Sequence, residues 1–427
     1  MVINTPVFDK INFNGGSLSS DGGAILLMQF LSQIRLYDRL ASIPFNDHRH
    51  LPVYTNQDIL YQLICRTLLG YFNQADQEIL NNDPLLSMYF NACSQPTVSR
   101  YFNRVTDHSN VNLKELLTKS SCDYVNQYVY DPIIDADSTL AETYGLQEAS
   151  SYIHHYQEIG YHPLVINEFH SKLLLSARLR TGSAYSSNSI IEEMQTILPY
   201  LYNRGNIRFR GDSAFYDTEL LNFLEGNEIT YYIRTKGFTA LRRAVTEDMT
   251  AKNIDWMEYS PSNPYYGELQ YIIGTKSKQS RRILYKAYSI EDNGQISLLP
   301  TVYAVVTNDD SCSSYEGMHF YELRGASENF TKELKDDFDG AHLSHRYFLE
   351  NEMEFLISSM AYNLFHLFQN LILKGTDQTI TMNTFRIMFQ KIAVKVSSHA
   401  RKIILSFSSA YRNRKKFLYY WNMVLQI

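Results

Sequence analysis

The residues best suited to chemistry are Tyr321, Arg324, Glu328 and Lys335, which are separated by three, four and seven positions. At 100° per residue they fall at about 0°, 300°, 340° and 320°, so the spacing predicts one narrow face of a helix. Glu328 is a hard oxygen ligand for a divalent cation, and the two flanking cations offset the charge of a phosphodiester. The stripe therefore indicates a metal-dependent, phosphate-handling site, although exposed helices also carry Arg–Glu pairs four residues apart.

Two upstream segments are predicted strands that end in carboxylates, IIDADST (133–139) and IRFRGDSAF (207–215). Phosphodiester cleavage by two metal ions needs shared carboxylates from several elements. Asp212 follows the second strand directly. Asp135 and Asp137 both belong to the first strand and, two residues apart, point to the same face, so spacing alone leaves both open as ligands. Helix or turn capping is the alternative role for Asp137 and Asp212.

In combination and order, these segments resemble the DDE transposases of bacterial insertion sequences. Residues 321–335 match the Y-(2)-R-(3)-E-(6)-K pattern of one large branch. The wider text (IDADST, GYHPL at 160–164, RGDSAF and AYNLFHLF at 361–368) is most similar to the branch named for insertion sequence thirteen-eighty.

The resemblance implies metal ligation and catalysis by Asp137, Asp212 and Glu328 with two Mg²⁺ ions, for which Mn²⁺ substitutes. It favours Asp137 over Asp135, because D-S-T is similar to the D-x-T of the family. It also implies that Tyr321, Arg324 and Lys335 lie along the DNA.

The order of predicted elements indicates an α/β fold. Strands at 130–137, 161–169 and 172–180, then helix, strand (206–212), helix and strand (229–235), is the order of an RNase H-like mixed sheet. We predict a helical N-terminal DNA-binding region (1–125), an RNase H-like core in two parts (126–239 and 316–375), a β-rich insertion (240–315) and a basic helical C-terminal region (376–427).

The predicted insertion carries a cluster of cations that are candidates for lining a DNA path, with an exposed hairpin as the equal alternative. Trp256 is a candidate for stacking on an unpaired base, although core packing is favoured. The cations are Lys276, Lys278, Arg281, Arg282 and Lys286.

DNA contacts are predicted at both ends of the chain. The segment SQPTVSRYFNRV (94–105) has the form of a short recognition helix, with Arg100 and Arg104 as its cations. The chain has a net charge of −6, yet after Asp377 nine Lys and Arg follow with no acidic residue. This asymmetry favours a basic surface on an otherwise acidic protein, and a solvated helical face is the alternative.

The function expected from this resemblance is binding of terminal inverted repeats, cleavage of the element's ends and joining of the 3′-OH ends to target DNA, by a homodimer in a synaptic complex. A catalytically silent DNA-binding protein and an RNase H-like nuclease without strand transfer are the alternatives. The N-terminus has no basic, apolar leader and residues 355–373 are too polar for a membrane span, so we expect no membrane association. The expected location is the bacterial cytoplasm, at the nucleoid when DNA is bound.

Overall fold

The structure is a computed structural model that describes residues 10–89, 92–185, 187–202, 205–237, 239–272, 279–292, 295–296 and 299–427. The α-helices are α1 (Ala24–Gln33), α2 (Leu36–Leu40), α3 (Asn56–Leu69), α4 (Gln77–Asn82), α5 (Leu86–Tyr89), α6 (Gln95–Phe102), α7 (Asp107–Tyr128), α8 (Ile190–Ile197), α9 (Thr218–Gly226), α10 (Thr239–Ala251), α11 (Ser314–Glu322), α12 (Ser327–Asp337), α13 (Phe348–Ile372), α14 (Met382–Phe385) and α15 (Arg414–Val424).

The strands are β1 (Leu18–Ser19), β2 (Ile133–Ser138), β3 (Ala141–Glu142), β4 (Ser151–Ile153), β5 (Glu158–Tyr161), β6 (Leu164–Glu168), β7 (Leu174–Arg178), β8 (Arg208–Gly211), β9 (Thr230–Arg234), β10 (Tyr265–Ile272), β11 (Ser280–Tyr288), β12 (Glu291–Asp292), β13 (Gln295–Ile296), β14 (Thr301–Thr307), β15 (Val394–His399) and β16 (Lys402–Phe407).

The chain divides into two compact units, and their boundaries differ from those of the predicted regions. The core unit comprises residues 42–46 and 105–370, and the terminal unit comprises 1–41, 47–104 and 371–427. The first and last parts of the sequence, predicted as separate regions, thus belong to one unit. The helix α7, predicted to lie in the N-terminal region, belongs to the core unit instead.

The core unit is built on a mixed sheet in the order β7-β6-β2-β8-β9-β14-β11-β10. β2, β6 and β7 are antiparallel, whereas β8 and β9 run parallel to β2. Each of these five strands lies within a segment predicted to be a strand, and α8 and α9 lie within the predicted helical segments between them. The apolar runs that predicted them are buried: Ile134, Ile166, Leu175, Phe209 and Tyr231 share one core.

The described part of residues 240–315 mostly extends the main sheet, while β12 and β13 pair as a separate two-stranded sheet. Most of the first part of this region is the helix α10, and β10, β11 and β14 extend the main sheet, with β14 antiparallel to β9. Trp256 is buried in the core, as favoured over base stacking. The predicted cations Lys276 and Lys278 lie outside the described residues.

The remaining cations of this region are held by carboxylates rather than free for a nucleic acid. Arg281 Nε lies 2.7 Å from Glu225 Oε1, and Arg282 pairs with Glu268. Lys286 Nζ lies 2.5 Å from Glu322 Oε1. The hypothesis that these cations line a DNA path gains no support from the described contacts.

The helix α13 is a buried helix of the core unit whose polar side chains serve its neighbours. Asn363 donates to Leu174 O (2.8 Å) and Ser121 Oγ (2.9 Å), and its Oδ1 accepts from Leu174 N (2.8 Å). His366 Nε2 lies 3.3 Å from Glu333 Oε2. These contacts explain why α13 carries polar residues. In the described part of the chain, none of the helices is long and apolar enough to cross a membrane.

The terminal unit joins both ends of the chain around buried polar contacts. Asp21 accepts from Gln390 Nε2 (2.8 Å), Lys391 Nζ (2.7 Å) and the Tyr71 hydroxyl (2.9 Å). A Cβ on Gly23 would meet the carbonyl oxygen of Phe389 at 1.5 Å, so only glycine permits this approach.

Residues 380–425 are not wholly helical as predicted. After α14 and a π-turn at Arg386–Gln390, the strands β15 and β16 form a hairpin. Its first strand alternates buried and exposed residues, Val394 and Val396 against Lys395, which is the period of a half-buried strand. The basic residues in this segment obscured that alternation.

Candidate active site at the ends of two parallel strands

Two carboxylates follow neighbouring positions of the central parallel strands. Ala136 of β2 lies beside Gly211 of β8, so Asp137 and Asp212 come next on adjacent strands. Asp137 Oδ2 accepts a hydrogen bond from the Thr331 hydroxyl at 3.0 Å. Asp212 Oδ1 accepts from Ala214 N at 2.8 Å and so caps the short 3-10 turn that follows β8. We call Asp137 and Asp212 the outer pair.

The outer pair is electrostatically unfavourable. The pKa of Asp137 is raised to about 6, chiefly by burial and to a smaller extent by the charge of Asp212, while Arg324 and the Thr331 hydroxyl act in the opposite direction. A buried carboxyl next to a second carboxylate holds its negative charge at a cost. Such perturbed acids are typical of functional sites.

Two residues earlier on the same strands lies a balanced counterpart, the inner pair of Asp135 and Arg210. Arg210 Nε and Nη2 each lie 2.7 Å from an oxygen of Asp135, and neither side chain is more than 1% exposed. Ser327 also donates to Asp135, and Arg210 donates to Phe320 O at 3.0 Å. Both oxygens of Asp135 thus accept hydrogen bonds within the protein. This carboxylate is therefore not free to act as a ligand beside the outer pair.

The segment with Tyr321, Arg324, Glu328 and Lys335 is not the single helix that the spacing predicts. α11 ends at Glu322, a 3-10 turn covers Leu323–Ala326, and α12 starts at Ser327. A 3-10 turn has about three residues per turn, which changes the phase of the stripe. Gly325 lies within this turn, and glycine disfavours an uninterrupted helix.

The break places Arg324 over the outer pair. Burial alone lowers the pKa of Arg324, but Tyr321, Asp137 and Asp212 hold it above its usual value. Within the described part of the chain its buried Nη1 has no hydrogen-bond partner. Tyr321 is buried, and its pKa is raised by burial. The arrangement offers a guanidinium with an unused donor beside two carboxylates.

Glu328 lies in the first turn of α12, 3.6 Å from Arg324 Nη2 (Oε1), with its side chain 68% exposed. The structure therefore links Glu328 to the outer pair through Arg324 rather than by direct approach. Among the residues that the structure describes, no three Asp, Glu, His or Cys are assembled as a metal site.

The helix α12 runs along β2 with matched spacing. Four helical residues rise about 6.0 Å and two strand residues about 6.6 Å, so contacts repeat along both elements. Lys335 Nζ lies 3.4 Å from Thr139 Oγ1. The matched pairs are Ser327 with Asp135, Thr331 with Asp137, and Lys335 with Thr139.

Three further residues lie around the outer pair, and sequence reasoning missed two of them, Tyr156 and Arg180. Tyr156 donates to Ser138 O at 3.1 Å, and burial together with the charges of Asp137 and Asp212 raises its pKa to about 12. Arg180 Nη2 donates to Ser138 Oγ at 3.0 Å. Burial lowers the pKa of His162, whose ring Nδ1 lies 2.8 Å from Ala184 O.

The GYHPL segment was the available signal for this side of the site, because it contains His162. The two histidines that precede this segment, His154 and His155, are exposed. No spacing rule predicts that Tyr156, in a turn between two short strands, approaches a carboxylate 19 positions earlier.

The predicted recognition helix is α6 of the terminal unit, preceded by Ser94 at its N-cap. Arg100 is exposed. Arg104 is instead held within the unit, donating from Nε to Asn56 Oδ1 (2.7 Å) and from Nη1 to Arg100 O (2.8 Å). Val98, Tyr101 and Phe102 form the buried face.

A family model described as "Transposase DDE domain group 1" matches residues 7–426. Among solved structures, the chain is similar to the piggyBac transposase in a synaptic complex with hairpin DNA, studied by cryo-EM. Identity is 12%, the TM-score is 0.46, and the match covers 87% of this chain and 80% of that chain. No curated protein matches the chain.

Proposed function

We propose, from the premise that this chain belongs to the transposase DDE domain family of group 1, that it cleaves the ends of its own mobile element and joins the freed 3′-OH ends to target DNA. The observation that carries this proposal is the outer pair, two carboxylates held together at a cost beneath a guanidinium with an unused donor. A buried carboxylate that serves only the stability of the fold is paired with a cation, as Asp135 is with Arg210 in the inner pair.

Divalent metal ions are the general cofactors of this family, and the residues present fit them. The donors are carboxylate oxygens, which suit Mg²⁺, and Mn²⁺ is expected to substitute. We propose that Asp137, Asp212 and Glu328 hold two ions. When bound, the ions would stabilise charge on the phosphate during in-line displacement.

The chain's own side chains supply the rest. Arg324 presents its free Nη1 donor to a phosphate oxygen, and Lys335 adds a second cation from the same side. Thr331 fixes the rotamer of Asp137. The exposed Glu328 is not fixed by packing, so its carboxylate is available to join the ligand set once a phosphate engages Arg324.

We further propose that residues 126–239 and 316–375 form an RNase H-like core. In its favour, the first three strands are antiparallel neighbours, and β8 and β9 follow in parallel on the other side of β2. The amino-acid sequence of residues 321–335 supports the assignment of this chain to the insertion-sequence branch with the Y-(2)-R-(3)-E-(6)-K pattern. Arg100 on α6 would contact the terminal inverted repeats, in a homodimer that acts in the cytoplasm at the nucleoid.

The test uses the full-length protein, a labelled duplex carrying the element's end with flanking DNA, and a supercoiled plasmid, in Mg²⁺ or Ca²⁺. The wild type should cleave at the end and join it to the plasmid in Mg²⁺. Asp137→Ala, Asp212→Ala and Glu328→Ala should bind the duplex and do neither.

Two results would contradict the proposal. Binding of the end without cleavage by the wild type in any metal would leave a catalytically silent DNA-binding protein. Cleavage of branched DNA without joining would instead indicate a nuclease.

A further inference from the structure

A two-stranded ribbon projects from the small sheet of the terminal unit. β15 pairs with β16 along its whole length, whereas β1 pairs only with Val394 and Lys395. Every side chain from Ser398 to Ile404 is exposed. Even Ile403 and Ile404 of this outer half are 61% and 47% exposed, so packing within the described part of the unit explains little of it.

The ribbon has one face suited to a polyanion. Residues directly opposite each other on antiparallel strands point to the same side. Lys395 pairs with Ser406, Ser397 with Ile404, and His399 with Lys402. This face thus combines cations, hydroxyls and one exposed apolar side chain, and the sequence has no acidic residue after Asp377.

The tip of the ribbon keeps an arginine where glycine is preferred. Ala400 and Arg401 connect the strands with φ of 48° and 62°, so both central residues of a two-residue turn are left-handed. Such turns strongly prefer Asn-Gly. A strained residue that persists at an exposed tip marks a place where its side chain is used.

The nine cations after Asp377 divide into two groups. Arg386 donates to Leu68 O, Lys391 pairs with Asp21, and Lys416 pairs with Asp377. The others are exposed and form no ion pair with any residue that the structure describes: Lys395, Arg401, Lys402, Arg412, Arg414 and Lys415. They lie on the ribbon, just before α15 and in the first turn of α15.

We propose that the ribbon, residues 395–406, is a DNA-binding arm that enters the major groove of duplex DNA. The major groove, about 12 Å wide, admits a two-stranded β-ribbon in an undistorted duplex, whereas the minor groove, about 6 Å wide, takes one only when the duplex is bent or widened. Arg401, Lys402 and Lys395 neutralise phosphates. Ile404 meets thymine methyl groups. This role rests on the proposed function, since it supplies an arm to an enzyme that must hold DNA ends, and it adds a contact that the catalytic site does not require.

The first test measures fluorescence anisotropy of the full-length protein with a 40-bp duplex (roughly four helical turns) from the element's end, across a salt series. Arg401→Gln combined with Lys402→Gln should weaken binding on the order of 10-fold and reduce the salt slope by about 2. The matched control, Lys236→Gln with Arg243→Gln, removes the same charge from exposed positions and should change neither. Equal affinity and slope in both double variants would overturn the arm.

The groove is tested by competition. Methyl green, a major-groove ligand, should weaken duplex binding by a larger factor in the wild type than in the ribbon variant, which keeps the contact proposed for Arg100 on α6. Distamycin, a minor-groove ligand, should displace neither. The reverse pattern would overturn major-groove entry. Ribbon-dependent binding to phosphatidylserine vesicles without duplex binding would identify a membrane instead and also overturn it.

A second variant separates contact from folding. Ala400→Asn with Arg401→Gly builds the preferred turn, so it should stabilise the ribbon while removing one cation. A purely structural ribbon predicts unchanged or tighter duplex binding, whereas the proposed arm predicts binding weakened several-fold.

Cleavage assays on the same samples keep the two proposals apart. If the wild type cuts the end and the ribbon variants bind like the control, the arm is wrong and the catalytic proposal stands. If the wild type never cuts but the ribbon variants lose duplex affinity, the arm stands and the catalytic proposal is wrong.

Discussion

The inner and outer pairs occupy the same two strands, two residues apart and on the same face of the sheet. In the inner pair, Asp135 lies opposite Arg210, both are fully buried, and every oxygen of the carboxylate is bonded. In the outer pair, Asp137 lies beside Asp212 and the pKa of Asp137 is raised to about 6. The comparison teaches that one strand geometry serves two purposes. Balanced charge holds the elements together, and unbalanced charge fits the ligand-binding role proposed for the outer pair.

The largest effect is expected when the inner pair is broken. Asp135→Ala leaves Arg210 buried without its counter-ion, so the free energy of unfolding should fall by about 3–5 kcal/mol, or the protein should fail to fold. Urea denaturation followed by circular dichroism measures this loss. Replacing both partners, Asp135→Leu with Arg210→Met, should recover most of the stability. A single variant as stable as the wild type would show that the pair contributes nothing.

The next effect is catalytic. Asp212→Asn keeps an oxygen to accept from Ala214 N but removes the charge, so end cleavage in Mg²⁺ should fall by at least about 100-fold, more than for a residue that only supports a ligand. The control is Asp217→Asn, the same change at the N-cap of α9, where Asp217 accepts from Glu219 N. The cleavage rates of both variants are measured, and equal rates would show that Asp212 does not belong to the catalytic site.

A smaller effect, opposite in sign to that of the inner pair, is expected for stability at Asp137. Its folded pKa of about 6 lies above the ordinary value of an aspartic acid, 3.8. The folded state therefore binds the proton more tightly, and the resulting cost is absent below pH 3.8 and complete above pH 6. In EDTA at pH 7.5, Asp137→Asn should raise the free energy of unfolding by about 2 kcal/mol.

That gain should vanish near pH 4 if the raised pKa is its source. Asp123→Asn, at an exposed position of α7, is the control and should show no such pH dependence. Destabilisation by Asp137→Asn at pH 7.5 without metal would mean that the outer pair is not strained.

The smallest effect concerns the rotamer of Asp137. Thr331→Val removes the 3.0 Å hydrogen bond to Oδ2 at nearly constant volume, which is worth about 1 kcal/mol, so cleavage should slow by roughly 5- to 10-fold. Thr331→Ser should restore most of the rate. Equal rates for Val and Ser would show that the hydroxyl plays no part in positioning Asp137.

Much of the fold was predictable because local pattern and burial agree. The runs around Ile134, Ile166, Leu175, Phe209 and Tyr231 are apolar, short and bounded by turns, and each is a strand of the main sheet. The features that could not be predicted from sequence depend on strand pairing between residues that are far apart in the chain. The strands β10, β11 and β14 look like an insertion in sequence, and only their pairing to β9 places them in the same sheet.

The candidate site shows the same division. Spacing puts Asp135 and Asp137 on one face and leaves them equivalent, and what distinguishes them is Arg210, 75 positions later. Helical phase places Arg324 and Glu328 on one face, and the two side chains lie 3.6 Å apart. Periodicity does not reveal the 3-10 turn between α11 and α12, after which Glu328 is exposed while Arg324 is buried and interacts with both carboxylates of the outer pair.

The terminal unit has a consequence for the order in which the protein matures during synthesis. Its first part ends at residue 104 and its second part starts at residue 371, yet Asp21 and Gly23 of the first part also have partners among residues 389–391. At 5–20 residues per second, the first part waits roughly 10 to 60 seconds on the ribosome before those partners emerge. The core unit, which lies between, is synthesised before the unit that flanks it is complete. Translation itself thus delays the surfaces proposed to bind DNA until after the carboxylates of the proposed catalytic site have been synthesised.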